Sequence, residues 1–278
     1  MSPHWKPLSI APVTLAEARK ELHWASQVAA ASADACIEHR ADDSHTNLHW
    51  DDATTSLVGS PLPLGHRIAI DLTAFEVHLQ KDSKTIEQFA LAGHSLDETF
   101  AWLASALSRA MDKDVVLSRR DYEMPEHPVS TGGRFSKTLS SPLAELGRHF
   151  ANADLCLKAL AATDTRATSV AVWPHHFDMG GIFILDDDKP FEEAPQIGFG
   201  MSPGDAAIQE PYYYITPWPL PEGPPPSFAE PGRWETQAFK GILLLSSELI
   251  ALGIDAQEKA LRSFLSSAIT TSLTHLSY

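Results

Sequence analysis

A capped helix, a stretch of two-residue hydrophobic alternation and a second capped helix follow one another twice along this 278-residue chain. With strands adjacent in sequence and helices only at the ends of each run, that order points to an α+β fold built on antiparallel meanders. In the first half, the spacing predicts a helix over 14–38, opened by Thr14 and Glu17 as a capping box, with Leu15, Leu22 and Val28 at near-helical intervals. The period then drops to two over 48–50 and 54–58. Ile68, Ile70 and Leu72 are apolar at even positions, whereas Phe75, Val77 and Leu79 are apolar at odd ones. A strand cannot exchange faces without a bulge or a turn, so two strands joined near Thr73 and Ala74 are expected. A third strand over 85–91 precedes Ser95-Leu-Asp-Glu98, a second capping box, which opens a helix with Phe100, Leu103 and Leu107 on one face.

The second half repeats the order. Ser141-Pro142 supplies an N-cap and a first helical residue, and Leu143-Ala-Glu145 echoes Leu15-Ala-Glu17. Strand-like runs follow over 168–173, 177–185, 196–199, 212–216 and 237–244. A final helix is expected from Asp255, with Glu258 as its capping partner. The reading is therefore an internal duplication of helix, meander and helix sharing a core: 1–111 as the first half, 112–141 as a connecting segment and 142–278 as the second. Seven prolines cluster in the second half's loop 217–232, giving a polyproline-like segment: a lid, a docking ligand or a cover for a sheet edge.

Composition narrows the partners. Lys and Arg total 21 against 36 Asp and Glu, a net charge of −15, so neither nucleic acid nor a membrane surface is expected as a partner. Two cysteines, Cys36 and Cys156, make no disulfide framework and no zinc ribbon, which favours a reducing, cytoplasmic setting. The first twelve residues carry no apolar signal core, and the greasiest stretch, 242–245, is too short to cross a bilayer.

The densest polar cluster is Trp173-Pro-His-His-Phe-Asp178. If Phe177 points into a core, strand alternation places His176 and Asp178 together on the other face. Glu210, Tyr212, Tyr214 and Thr216 likewise share one parity. An imidazole and two carboxylates on one side are a candidate acid–base or divalent-metal constellation, and equally a hydrogen-bonded structural cluster. Gly200-Met-Ser-Pro-Gly204 matches the GxSxG nucleophile pattern, but Pro203 has no N–H for an oxyanion hole, and too few residues follow for the required helix. Ser202-Pro-Gly-Asp205 reads instead as a tight turn. Without a P-loop or GxGxxG motif, no cofactor is expected.

Leu22-His-Trp24 with Gln27, Asn47-Leu-His-Trp50, Thr54-Thr-Ser56 and Pro61 resemble the front half of a bacterial domain-of-unknown-function family (number 5996). Trp173-Pro-His-His-Phe-Asp178, Ser202-Pro-Gly-Asp205 and Glu210-Pro-Tyr-Tyr-Tyr214 with Pro217-Trp218 resemble its back half. The resemblance spans about 5–272 and implies no reaction or cofactor. It departs at Val28-Ala-Ala-Ala31, where related chains often carry Gly-Lys and an Arg. The expectation is a polar, aromatic-lined pocket in the second half for a small molecule, walled by His176, Asp178, Asp205, Glu210, Tyr212 and Trp218. Two alternatives stand beside it. One is a metal-assisted hydrolase or lyase with His176, Asp178 and Glu210 as ligands and His175 as proton shuttle. The other is a non-catalytic interaction module.

Overall fold

The computed structural model describes residues 2, 4–221, 228, 231–237 and 239–277. Half of the proline-rich loop 217–232, including Pro224, Pro225 and Pro226, lies outside them. A 3-10 turn over Pro12–Leu15 runs into helix α1 (Ala16–Cys36). Five strands follow: β1 (Leu48–Asp51), β2 (Ser56–Gly59), β3 (His66–Asp71), β4 (Glu76–Lys81) and β5 (Lys84–Ala90). Next come α2 (Leu96–Met111) and α3 (Ser140–Ala161). The strands β6 (Ala171–Trp173), β7 (Asp178–Ile184), β8 (Gln196–Ser202), β9 (Tyr212–Trp218), β10 (Arg233–Glu235) and β11 (Gly241–Leu245) precede α4 (Ser246–Ala251) and α5 (Ile254–Leu276). The class is α+β with antiparallel strand pairing, and two compact units divide the chain.

One unit comprises 17–147 and 171–177. Its strands run in the order β6-β1-β2-β3-β4-β5. The parity switch has the expected cause: Asp71 Oδ1 accepts from the Thr73 and Ala74 amides at 2.7 and 2.9 Å, and Phe75 closes the four-residue turn at φ 54°. Ile70 therefore pairs with Val77 and Ile68 with Leu79, even against odd. The alanine run of α1 is buried, and a Cβ on Gly59 would stand 3.5 Å from that of Ala29, so small side chains let the helix lie close on β2. Ser95 and Glu98 form the reciprocal capping box read from the sequence, at 2.7 and 3.1 Å. The connecting segment 112–141 is tied down by Arg119 on Asp97 at 2.6 Å and by the Trp24 indole donating to the Pro125 carbonyl at 2.9 Å.

The other unit comprises 1–16, 148–170 and 178–278, with strands in the order β10-β11-β9-β8-β7. Ile197, Phe199, Met201, Tyr213 and Ile215 fill one face of its sheet and are wholly buried. Ser202, Gly200 and Gly198 lie opposite Tyr212, Tyr214 and Thr216 on the other face.

Three expected caps do not form. Helix α3 begins at Ser140, with the Leu143 amide donating to the Leu139 carbonyl at 2.8 Å, so Ser141 lies inside the first turn and not at the cap. The Thr14 hydroxyl donates back to the Ala11 carbonyl at 2.8 Å, because Pro12 starts a 3-10 turn before α1. Helix α5 starts at Ile254 behind Gly253 at φ 79°, and Glu258 instead accepts from the Ser2 amide at 2.5 Å and pairs with Arg262. Cys36 and Cys156 are both free thiols. Among the described residues, no helix is long and apolar enough to cross a membrane.

Candidate functional site

The register of β7, β8 and β9 assembles the polar face from short and long side chains. Gly180 pairs with Gly200, and Gly200 with Tyr214. The Tyr214 ring lies across Gly200, and its phenol donates to Asp178 Oδ2 at the head of β7. A Cβ on Gly200 would stand 2.5 Å from Tyr214 Cζ, and one on Gly180 would meet the Tyr214 hydroxyl at 3.0 Å. Glycine at both positions clears the path of the ring.

Next to it, the Tyr212 phenol donates to Asp205 Oδ2 at 2.6 Å. The other Asp205 oxygen accepts from the Ala207 and Ile208 amides at 2.7 and 2.8 Å, so the loop after the Ser202-Pro-Gly turn folds around this carboxylate. Phe239 closes the group, its centroid 5.8 Å from Tyr212 and 5.5 Å from Tyr214, while the two tyrosine rings are 6.2 Å apart. Burial, then the bond to and charge of Asp205, hold the Tyr212 phenol far above the usual range. Burial and Asp178 do the same for Tyr214. Both phenols stay protonated at neutral pH, fixed as donors to the carboxylates. The rings pack on one another, so the site is a shallow aromatic face. A cavity of about 530 Å³ lies elsewhere in this unit, lined by Ser2, Asp255, Glu258, Lys259, Arg262 and Ser263.

Asp178, Asp205 and Tyr212 thus belong to this face, and Tyr214, Ser202 and Phe239 join them. Three sequence-derived members have other places. Glu210 accepts from the Ser247 amide at 2.7 Å and the Ser247 hydroxyl at 3.0 Å, binding the first turn of α4. Trp218 is 49% exposed at the far end of β9, four residues from Tyr214 and so about 13 Å along the strand. His176 lies on no strand. β6 ends at Trp173, residues 174–177 form a turn closed by the Phe177 amide on the Trp173 carbonyl at 2.6 Å, and Phe177 adopts φ 62°. Strand alternation does not apply there.

The turn belongs to the unit containing α1, where it completes a different cluster. His23 Nε2 and Gln27 Nε2, one helical turn apart on α1, both donate to the Pro174 carbonyl at 2.9 Å. The His23 ring stacks on Phe177, with centroids 4.8 Å apart and planes 8° apart. Burial, assisted by the charges of Arg19, His176 and His175, outweighs the carbonyl bond and lowers the His23 pKa to about 4. His23 is a neutral latch on the turn. His175 contacts the rings of Tyr122 and Trp173, and His176 is exposed.

The residues of the metal set read from the sequence have other roles: His176 stands on the turn, Asp178 is bonded to Tyr214 and Glu210 to Ser247. Among the described residues, Asp34, His39 and His45 do bring three ligand atoms within 4.8 Å. However, the Arg40 amide donates to His45 Nδ1 at 3.3 Å, leaving the proton on Nε2 facing Asp34. The Arg120 guanidinium pairs with Asp34 and, at 2.8 Å, with Asp43. A metal ion would have to displace both that proton and the guanidinium, so these residues do not fit one. No family model, curated protein or solved structure matches the chain.

Proposed function

We propose that this protein binds a small molecule at the aromatic face of β7, β8 and β9, in the cytosol. The observation that carries the reading is the pair of carboxylate–phenol bonds, Asp178–Tyr214 and Asp205–Tyr212, set side by side under Phe239. Fixed carboxylate acceptors beside aromatic rings suit a ligand that brings O–H or N–H donors together with an apolar face, such as a sugar or a small amine. The recurrent order of helix, strands and helix supports a duplicated chain whose second copy acquired this site. Superposing the backbone of α1 to α2 on that of α3 to α5 tests the duplication, and strand orders that do not align would refute it.

Binding is tested by saturation-transfer NMR on the full chain with neutral monosaccharides and small primary amines. At least one compound should give a signal that Tyr214→Phe and Asp178→Asn abolish. Signals absent throughout, or indifferent to both substitutions, would refute the reading.

A further inference from the structure

The segment 4–10 is held in an unusual way. The Lys6 amide donates to Asn152 Oδ1 at 2.8 Å, and Asn152 Nδ2 donates to the Lys6 carbonyl at 2.7 Å. Two residues on, the Leu8 amide donates to Gln257 Oε1 at 3.0 Å and Gln257 Nε2 donates to the Leu8 carbonyl at 2.9 Å. Asn152 on α3 and Gln257 on α5 are wholly buried. Each amide side chain thus reads both main-chain groups of one residue, as a neighbouring strand would. Pro7, between them, has no N–H to leave unpaired. Trp5 and Leu8, 4% and 1% exposed, are the apolar anchors.

Because Asn152 of α3 and Gln257 of α5 grip residues two apart on the same segment, the two helices flank one groove. Ser2 and α5 also border the cavity of about 530 Å³. The occupant is imperfect, because the buried Trp5 indole N–H has no acceptor among the described residues.

We propose that the α3–α5 groove is a peptide-recognition site, filled in cis by residues 4–10, that accepts in trans an extended partner peptide with an aromatic residue followed three positions later by leucine. Asn152 and Gln257 read the main chain, so they demand an extended strand and not a sequence. The two apolar anchors set the pattern. Phenylalanine in place of Trp5 removes the unpaired donor, so a Phe-bearing strand competes well against the chain's own segment. This site is separate from the aromatic face, and its test succeeds or fails independently of ligand binding there.

The test uses a fluorescein-labelled peptide of residues 4–11 carrying Trp5→Phe, titrated by anisotropy into the full-length chain. Wild type holds its own segment at high effective concentration, so the Trp5→Ala/Leu8→Ala variant should bind the peptide about tenfold more tightly or better. N-methylating the peptide's Leu8 amide leaves the buried Gln257 oxygen unpaired and should weaken binding about tenfold. No binding to the folded variant, or equal binding of methylated and unmethylated peptides, overturns the proposal. If that variant does not fold, hydrogen exchange of the wild type decides. Exchange of the Lys6 and Leu8 amides about tenfold or more faster than that of Phe199 supports a segment that detaches by itself, and equal protection overturns it.

Discussion

Acid should destabilise this protein chiefly through one buried imidazole, that of His23. His23 has a pKa near 4 in the folded state, against 6.5 for an ordinary histidine. Between those values the unfolded chain binds the proton and the folded chain does not, so stability rises with pH across the window. The contribution is fully present above about pH 6.5 and is lost as pH falls, at up to about 1.4 kcal/mol per pH unit and about 3 kcal/mol in all. His127, also lowered by burial, acts in the same direction. Glu21, raised chiefly by burial, favours the folded state as pH falls and offsets part of the loss at the acid end. Urea unfolding at intervals between about pH 7 and about pH 4.5 reads the slope. His23→Gln keeps an N–H donor for the Pro174 carbonyl but cannot titrate, so the same series on that variant should be flatter by most of that amount. Two-dimensional NMR reads the His23 pKa directly. Titration near 6.5 in the folded protein, or an unchanged slope in His23→Gln, would refute the reasoning.

Other substitutions test the geometry separately. Gly200→Ala drives a Cβ into the Tyr214 ring and should lower stability by about 1–3 kcal/mol, read as a fall in Tm. Tyr214→Phe leaves Asp178 without its phenol donor and should cost about 1.5–3 kcal/mol in urea unfolding. A loss within about 0.5 kcal/mol would mean the bond is not formed. Ser95→Ala removes one arm of the capping box and should cost about 1 kcal/mol without altering ligand binding, which makes it the control for stability effects alone.

Local signals carried well where one neighbour decides the outcome. The parity switch at Thr73–Ala74 and the Ser95–Glu98 box both depend on residues within four positions, and both occur as read. Thr14 and Asp255 failed as caps because Pro12 and Gly253 set the backbone ahead of them. At 174–177 a proline and a left-handed Phe177 replace the expected alternation, which removed His176 from the shared face. Asp178 and Tyr212 were legible as polar side chains at strand starts and Asp205 as one at the end of a tight turn. The Asp178–Tyr214 bond was not, because it depends on a register across β8 that only pairing reveals. Glycines at the even positions 180, 198 and 200, with Gly198 opposite Thr216 and Gly200 opposite Tyr214, were the signal available for it. The bond from Glu210 to a helix start 37 residues away, and the grip of Asn152 and Gln257 on Lys6 and Leu8, leave no local mark in sequence.

Chemical-shift mapping with a compound selected in the NMR screen tests ligand binding at the aromatic face most directly. The amides of Gly180, Gly200 and Tyr214 should shift together in one saturable transition, with Trp24 and the residues around Ser2 unmoved. Shifts confined to Ser2, Glu258 and Arg262, with Gly200 and Tyr214 unchanged, would contradict it.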